Sequence, residues 1–223
     1  MKHVGMNVAA DAFVNSAITG VNGGLVVLAA DDPSMHSSQN EQDSRFYGKF
    51  AMIPILEPST QQEAYDMMAY AYQLSEETKL PVLMRVVTRL AHSRAGVVVR
   101  EPLAQNALNP ETDRTHWVLL PANARRQYAG LVGKQGDLLA SSEASPYNKK
   151  VSAEGKAKLG VIACGIAYNY VMENEPQKQD IPVLKVSQYP LPEAAIKDLA
   201  EQCEALLIAE DGQPLVEEQV KSI

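Results

Sequence analysis

The sequence predicts an α/β protein built on parallel β-sheets, and three observations support this fold class. Leu25 to Ala30 is a continuously apolar run, which fits a strand that is covered on both faces. A helical pattern leads into a second apolar run at Pro81 to Val87, as a β-α-β unit requires. A similar alternation of strand and helix starts again at Lys158. The 223 residues are enough for one large domain or two smaller ones.

The first part of the chain contains two further predicted helices and a short strand. Apolar positions between Val8 and Ala17 predict a helix that ends at Gly20. Pro54 interrupts the run Met52 to Leu56 and favours an edge strand or an irregular pairing, because proline cannot donate to a β-ladder. The next helix is expected to begin at a Ser59 cap, with a glutamine three residues later.

The second half is predicted to hold a linker followed by another α/β unit. Periodicity fails from Arg89 to Asn123, where three prolines indicate a linker, and one helix with a polar face is expected at Ala122 to Ala144. Further predicted elements are strands at Lys158–Ala163, Val183–Val186 and Ala205–Ala209 and helices at Ile166–Met172 and Glu193–Cys203. We therefore expect one α/β domain at 1–94, a linker with a helix at 95–155, and a second α/β domain at 156–223.

Composition excludes several classes of protein. A formal charge of −7 and a pI near 5.2 argue against nucleic-acid binding, which requires clustered lysine and arginine. Only Cys164 and Cys203 are present, which suits a reducing compartment, and both are expected to be buried apolar residues. No apolar run is long enough to span a membrane, and the first residues do not resemble a signal peptide. We therefore expect a cytoplasmic protein.

Common catalytic and cofactor motifs are missing from the sequence. Gly20, Gly23 and Gly24 precede a strand, whereas the glycines of a dinucleotide fingerprint follow one. Gly160 and Gly165 have the spacing of a P-loop, but no Lys-Ser or Lys-Thr pair follows them. There is no Cys-x-x-Cys and no Gly-x-Ser-x-Gly, so neither a ferredoxin-type cluster nor a hydrolase nucleophile is expected, and no metal site is predicted.

A long polar segment, Met35 to Arg45, follows the first predicted strand. Ligands of open α/β sheets gather at the carboxyl ends of the strands, which makes this loop the first candidate for a functional site. The alternative is a solvated surface loop without function.

Five segments resemble the alpha subunit of indolepyruvate ferredoxin oxidoreductase, of the 2-oxoacid:ferredoxin oxidoreductase family. They are Met1–Asp11, Ala30–Arg45, Glu57–Ser59, Leu80–Arg85 and Ile162–Tyr170. The resemblance covers essentially the whole chain and makes it similar to an internal stretch of that subunit. It implies a thiamine diphosphate domain of the pyrimidine-binding type, incomplete at its N-terminus, followed by an α/β domain like the carboxyl-terminal domain of transketolase.

The resemblance also implies a reaction and its partners. The family decarboxylates arylpyruvates oxidatively to acyl-CoA, using thiamine diphosphate with Mg²⁺ and [4Fe-4S] clusters, with ferredoxin as electron acceptor. Implied partners are the remaining alpha-subunit domains, the beta subunit, ferredoxin and CoA, in an oligomer. The family's activating glutamate, its metal–diphosphate domain and its cluster domain have no counterpart here, so the chain alone is expected to bind none of these cofactors and to be inactive. Val86-Val87 and Leu90-Ala91 also depart from the family's residues beside Arg89 and His92.

The resemblance suggests that the chain contributes a polar wall that faces cofactor or 2-oxoacid. The residues expected in this wall are Lys2, His3, Asn7, Ser37, Ser38, Gln39, Asn40, Glu41 and Arg45. Arg45 or Lys2 would suit a substrate carboxylate, and His3 or His36 could relay a proton. The alternatives are that Arg45 pairs with Glu41 and that His36 only hydrogen-bonds the loop.

Two rival functions stay open at the level of sequence. The chain could be a non-catalytic assembly or ligand-binding module that kept the scaffold and lost the reaction. It could also be an unrelated small-molecule enzyme, which would need an acid–base pair such as His36 and Glu41 in the polar loop.

Overall fold

The computed structural model describes residues 1–151 and 155–223, which form two mixed β-sheets with helices packed against them. The helices are α1 (His3–Val8), α2 (Ala10–Thr19), α3 (Arg45–Ala51), α4 (Gln61–Thr78), α5 (Thr88–His92), α6 (Pro121–Gly133), α7 (Gln135–Glu143), α8 (Ala167–Glu173), α9 (Glu193–Gln202) and α10 (Leu215–Val220). The strands are β1 (Val26–Asp31), β2 (Ile55–Leu56), β3 (Val82–Val87), β4 (Lys149–Val151), β5 (Ala157–Cys164), β6 (Val183–Val186), β7 (Gln188–Tyr189) and β8 (Cys203–Ala209). The predicted α/β class with parallel sheets is confirmed.

The first sheet has the strand order β1-β3-β2-β7. Strand β3 lies in its centre and pairs in parallel with β1 on one side and with β2 on the other. Strand β7 comes from the second half of the chain and pairs antiparallel with β2. Burial of Val82, Leu83 and Met84 on β3 explains why this run is apolar at every position.

Strand β1 differs from the expectation that both of its faces are covered. It is 41% exposed at Leu28, whereas Ala29 on the opposite face is fully buried. On its side away from β3, the described residues supply only a bridge between Lys2 and Ala30. A continuous apolar run therefore does not show that a strand is covered on both faces.

Strand β2 corrects the expectation of an edge strand at Pro54. It occupies an interior position between β3 and β7, and both of its residues are buried. Pro54 directly precedes the strand, and its carbonyl oxygen accepts a hydrogen bond from the backbone nitrogen of Leu83 at 3.0 Å. The proline is tolerated because it has to accept a hydrogen bond at this point and does not have to donate one.

The second sheet has the strand order β4-β6-β5-β8, in which β5 pairs in parallel with β6 and β8. Strand β4 pairs antiparallel with β6, at a position where the sequence predicted no strand. Its Lys150 forms an ion pair with Asp198 on α9. Only Ser187 lies between β6 of the second sheet and β7 of the first.

Several predicted helices have other bounds in the structure. The first, expected from Val8 to Gly20, corresponds to α2, and the one expected at Ala122 to Ala144 is divided into α6 and α7 at Lys134. Thr60, instead of Ser59, caps α4 by accepting a hydrogen bond from the backbone nitrogen of Glu63 at 3.1 Å. Helices α1, α3 and α5 were not predicted.

Residues 93–113, within the predicted linker, form neither helix nor strand. The end of that predicted linker, at 152–154, lies outside the described residues, and the domain boundaries stay a prediction. Of the two cysteines, Cys164 is fully buried as expected, whereas Cys203 is only half-buried. None of the helices in the described ranges has the length and apolar character that crossing a membrane requires.

Candidate functional site

The polar loop lies where the sequence analysis placed it, at the carboxyl ends of β1 and β3. A small cleft of about 20 Å³ opens between this loop, the end of β3 and the turn after β8. Its lining residues are Pro33, Ser34, His36, Val87, Thr88, Arg89 and Asp211. A volume of this size holds about one water molecule, so the cleft is a narrow polar entrance.

Asp32 fixes the shape of the polar loop. Its carboxylate accepts hydrogen bonds from the backbone nitrogens of His36 and Ser37 at 3.1 and 2.8 Å, and from the Ser38 hydroxyl at 2.5 Å. Thr88, at the end of β3, donates to the same carboxylate at 2.8 Å. The Ser38 hydroxyl and the other donors hold the pKa of Asp32 well below its ordinary value, so this group is a fixed negative charge.

Two more contacts close the loop on itself and on the first helix. The carboxylate of Glu41 accepts a hydrogen bond from the backbone nitrogen of Ser34 at 2.9 Å. The ammonium group of Lys2 donates to the carbonyl oxygen of Ser37 at 3.0 Å and lies 3.8 Å from Asp32. Lys2 and the loop are therefore neighbours, as the polar-wall hypothesis requires.

A buried network of charged side chains lies beneath the loop. The Nε atom of Arg85 donates to Asp31 at 2.7 Å, and its Nη1 atom donates to Glu57. Arg45 donates from Nε to both carboxylate oxygens of Asp43, at 3.0 and 3.1 Å. Both guanidinium groups are fully buried, so their charges need these partners.

The network extends to the turn that follows β8. Arg45 donates from Nη1 to Glu210 at 2.8 Å and from Nη2 to the carbonyl oxygen of Gln213 at 2.9 Å. Arg85 donates from Nη2 to the carbonyl oxygen of Asp211 at 2.6 Å. The two buried arginines, which lie in the first half of the chain, therefore anchor a turn from the second half.

Four carboxylates surround the two guanidinium groups. The carboxylate oxygens outnumber the N–H groups that the two arginines offer them, and neutral donors supply the remaining hydrogen bonds. Asp31 also accepts from the backbone and hydroxyl of Ser44, and the hydroxyl of Tyr189 donates to Glu57 at 2.8 Å. Backbone nitrogens at the start of α10 donate to Glu210 at 3.1 Å. Because every carboxylate has several donors, the network holds its charge without a metal ion.

The environment shifts the pKa of two acids in opposite directions. Burial opposes ionisation of Asp43, but Arg85 and Arg45 outweigh it and lower the pKa of Asp43. Burial raises the pKa of Asp211, whose partners are weaker. Asp43 is therefore a structural anion, whereas Asp211 is an acid at the mouth of the cleft that binds its proton more readily.

Arg89 is the cationic group at the mouth of this cleft. It is the second residue of α5, is exposed, and donates from Nη1 to the hydroxyl of Tyr170 on α8 at 2.8 Å. Its guanidinium carbon lies 5.4 Å from the centre of the Tyr170 ring, in cation–π geometry. The Tyr170 hydrogen bond and the nearby Asp211 carboxylate raise the pKa of Arg89. Among the described residues, no carboxylate lies within ion-pair distance of Arg89, so the N–H groups that Tyr170 does not use are available to a ligand.

The structure distributes the predicted site residues over three environments. Lys2, Ser37, Ser38 and Glu41 lie together through the contacts of Asp32 and Ser34, whereas Gln39 and Asn40 are exposed on the same loop. His36 lines the cleft. Asn7, on α1, accepts a hydrogen bond from Tyr47 at 3.0 Å. Its neighbour His3 is fully buried, and neither ring nitrogen has a hydrogen-bond partner among the described residues.

Arg45 is the site residue whose environment differs most from the sequence-based hypotheses. It is fully buried in the ion network, and it pairs with Asp43 and Glu210 instead of Glu41. A substrate carboxylate would have to displace these partners to reach it. The alternative pairing with Glu41 is wrong, because that carboxylate is directed to Ser34.

Sequence reasoning missed four residues of this region. Asp31 and Asp32 end β1 with two acids in a row, and Arg85 is a charge inside an otherwise apolar strand. A charged residue in a buried strand needs a partner, which is a signal that could have identified Arg85. The exposed Arg89 carries no comparable signal, since nothing local distinguishes it from Arg94.

The described residues do not fit the metal and cluster cofactors that the resemblance implies. The carboxylates near the loop are engaged by Arg45, Arg85 and neutral donors, and no three His, Cys, Asp or Glu side chains in the described ranges are grouped as metal ligands would be. A [4Fe-4S] cluster needs four cysteine ligands, and the chain has two cysteines.

No family model matches the chain. It is 41% identical over 229 residues to the indolepyruvate oxidoreductase subunit IorA of Methanothermobacter thermautotrophicus, and 41% identical over 231 residues to that of Thermococcus kodakarensis. Both matches include 100% of this chain but only 37% and 36% of the relatives' own length.

A solved structure shows the same fold. The 2-oxoglutarate:ferredoxin oxidoreductase from Magnetococcus marinus, with 2-oxoglutarate, coenzyme A and succinyl-CoA bound, matches 99% of this chain and 47% of its own, with a TM-score of 0.74 and 13% identity. The chain therefore shares the α/β fold of this solved structure. Its sequence is related to part of the indolepyruvate oxidoreductase subunit IorA, and the predicted resemblance is confirmed.

Proposed function

We propose that this chain contributes a substrate-facing wall of a 2-oxoacid oxidoreductase that acts on an arylpyruvate such as indolepyruvate. The observation that carries the proposal is the exposed guanidinium group of Arg89 beside the narrow cleft, where Tyr170 holds it by a hydrogen bond of 2.8 Å. A guanidinium fork matches a carboxylate in geometry and charge, and every 2-oxoacid carries a carboxylate.

The other side of the proposed wall is the loop that Asp32 organises. Lys2, Ser37, Ser38 and the exposed residues after them would face the cofactor or the substrate. His36 lines the same cleft as Arg89, and an imidazole ring can both accept and donate a proton, which suits a proton relay. The names of the relatives and the fold shared with an oxidoreductase that binds 2-oxoglutarate support this assignment.

We extend the proposal to oxidative decarboxylation to acyl-CoA, with thiamine diphosphate as cofactor and ferredoxin as electron acceptor. The metal–diphosphate group and the [4Fe-4S] clusters would be bound by other polypeptides, namely the remaining alpha-subunit domains and a beta subunit, in an oligomer in the cytoplasm. The part of the relative that matches this chain is 37% of its length, and the proposal assigns these groups to the rest of such a subunit and to its partners. On this proposal the chain is inactive alone.

Reconstitution tests the proposal. The isolated chain should not reduce a viologen dye with indolepyruvate, CoA, thiamine diphosphate and Mg²⁺, whereas addition of the polypeptides that carry the missing domains should start turnover. Turnover by the pure chain would refute the proposal that the cofactors are bound outside this chain. Absence of turnover from a stable complex that holds every implied cofactor would refute the enzyme assignment.

A variant pair tests the role of Arg89 in the reconstituted complex. Arg89→Ala should raise KM for indolepyruvate by about tenfold or more, because one ionic hydrogen-bond pair to the carboxylate is lost. Arg94→Ala is the matched control, since Arg94 is exposed nearby on the chain and forms no ion pair among the described residues. Equal KM values for the two variants would show that Arg89 does not bind the substrate carboxylate.

The second candidate is a non-catalytic assembly or ligand-binding module. The observation that favours it is that the carboxylates of Asp31, Asp43, Glu57 and Glu210 are engaged by protein donors, and that no group of three possible metal ligands occurs among the described residues. Purification from source cells distinguishes the two proposed functions. A split enzyme should be recovered with partners that carry cluster cysteines, whereas a module should be recovered alone as a stable homodimer.

A further inference from the structure

A second cleft, with a volume of about 360 Å³, lies at the other end of the strands of the first sheet. It is bounded by residues 20–22, which precede β1, and by Lys79 and Leu80, which precede β3. It therefore opens at the amino ends of the strands, away from Arg89 and the polar loop. The volume falls in the range of small-molecule sites, roughly 300–1,000 Å³.

Two ammonium groups lie in this cleft. Lys134, on the α6–α7 junction, donates to the carbonyl oxygen of Thr78 at 2.6 Å, and Lys79 donates to the carbonyl oxygen of Asn22 at 3.2 Å. Burial and the charge of Lys79 lower the pKa of Lys134, which shows that the two cations are close. Among the described residues, neither forms an ion pair, so most of their charge is uncompensated.

The opposite wall of the cleft is aromatic and polar. Trp117 is 45% exposed and packs edge-on against His116, with ring centres 4.7 Å apart. Gln127 donates from Nε2 to the carbonyl oxygen of His116 at 2.6 Å, and this bond fixes the side-chain amide. Its Oε1 atom is buried and has no hydrogen-bond partner among the described residues.

We propose that this cleft is a binding site for a small aromatic anion, a carboxylate or phosphate attached to a planar ring. The anionic group would lie between Lys79 and Lys134, and the ring would pack on Trp117. Glu111 also lines the cleft and opposes anion binding, but two ammonium groups outweigh one carboxylate. The site is independent of the catalytic proposal, because it shares no residue with the cleft beside Arg89.

The single tryptophan of the chain makes the proposal directly measurable. Titration of the full 223-residue chain with phenyl phosphate and with benzoate should change the fluorescence of Trp117 saturably, and the two probes distinguish phosphate from carboxylate ligands. Phenol at the same concentrations should give no saturable change. Saturation by phenol equal to that by both anions would overturn the proposal, as would the absence of saturation by either anion.

Charge variants provide the second arm. Lys79→Gln and Lys134→Gln should each weaken binding about tenfold, a change of ~1.4 kcal/mol, whereas Glu111→Gln should strengthen it. Lys178→Gln is the control, because that lysine is exposed and paired with Glu175 elsewhere on the surface. Circular dichroism of each variant confirms folding, and if Lys134→Gln unfolds, Lys79→Gln and Glu111→Gln decide alone. Unchanged affinity in both of these would leave the lysines as caps of the α4 carboxyl end and refute the site.

Discussion

Arg45 at the start of α3 donates to Glu210 at the end of β8 over 2.8 Å, although 165 positions separate the two residues in the chain. The same guanidinium group binds Asp43 and the carbonyl oxygen of Gln213. One fully buried side chain thus connects the polar loop with the turn beyond the second sheet.

Removal of Arg45 should destabilise the whole fold. We expect Arg45→Met to lower the free energy of unfolding by about 3–5 kcal/mol, because Asp43 and Glu210 would remain buried without their partner. Urea denaturation measures the loss. Arg100→Met is the control, since Arg100 is largely exposed and pairs only with Asp66, and it should change stability little. A small effect of Arg45→Met would show that water satisfies the two acids.

Acid should weaken the network before it weakens the apolar core. Despite burial, Arg85 and Arg45 lower the pKa of Asp43 in the folded state, and the unfolded value is about 3.9. The stabilisation is therefore complete above the unfolded pKa and is lost as the pH falls through the lower, folded one. Unfolding midpoints in urea between pH 6 and pH 3 should decline less steeply for Asp43→Asn than for the parent. Parallel declines would contradict this assignment.

Gly212 should not tolerate a side chain. Its φ angle is +124°, and a Cβ atom there would lie 2.7 Å from Asp43 Oδ2 and 2.9 Å from Arg85 Nη2. We expect Gly212→Ala to cost about 1–3 kcal/mol in unfolding free energy. Gly136→Ala is the matched control, because Gly136 lies in α7 with open space around it, and it should gain about 0.5–1 kcal/mol. Equal stability of the two variants would be inconsistent with the described packing of the turn.

Asp32 should control the order of the polar loop. In Asp32→Ala the backbone nitrogens of His36 and Ser37 lose their acceptor, so their amide protons should exchange with solvent at least about tenfold faster. Hydrogen exchange followed by mass spectrometry of peptides from this loop provides the measurement. Asp137→Ala, on the exposed face of α7, should leave the exchange rates unchanged. Unchanged rates in Asp32→Ala would mean that other contacts hold the loop.

The two cysteines should differ in reactivity. Burial raises the pKa of the fully buried Cys164 thiol, and Cys203 is only half-buried. The thiolate is the reactive form, so iodoacetamide should modify the folded protein in a fast phase at Cys203 and a slow phase at Cys164. Cys203→Ser should remove the fast phase and leave the slow one, which should accelerate on unfolding. A fast phase that persists in the variant would contradict the burial of Cys164.

The elements that the sequence predicted well are those with local signals. Strand β3 and helix α4 have continuous or periodic apolar runs, and their positions follow from these runs. Strand β7 has two residues, and it exists only because Ile55 and Leu56 lie beside it. Helix α3 contains Gly48, whose absent side chain leaves room for Ile55 and Leu83, and this requirement arises from tertiary packing.

In the candidate site, too, residues with local sequence signals could be predicted, whereas residues that depend on distant partners could not. The polar loop could be located because it follows an apolar strand, and His36 and Lys2 could be selected by charge and position. The buried environment of Arg45 could not be predicted, because Glu210 and Gln213 contribute to it from the far end of the chain. Arg89 could not be distinguished from other surface arginines until Tyr170 was placed beside it.

The single residue Ser187 between β6 and β7 limits how the molecule can move. A fully extended residue spans only about 3.3–3.6 Å, so the end of β6 and the start of β7 stay close together and the two sheets cannot separate at this point. The contact between Arg89 and Tyr170 lies elsewhere and is not held by this connection. An opening that admits a ligand beside Arg89 would therefore come from the loop, from side chains or from a rotation about Ser187, while the β6–β7 junction stays in place.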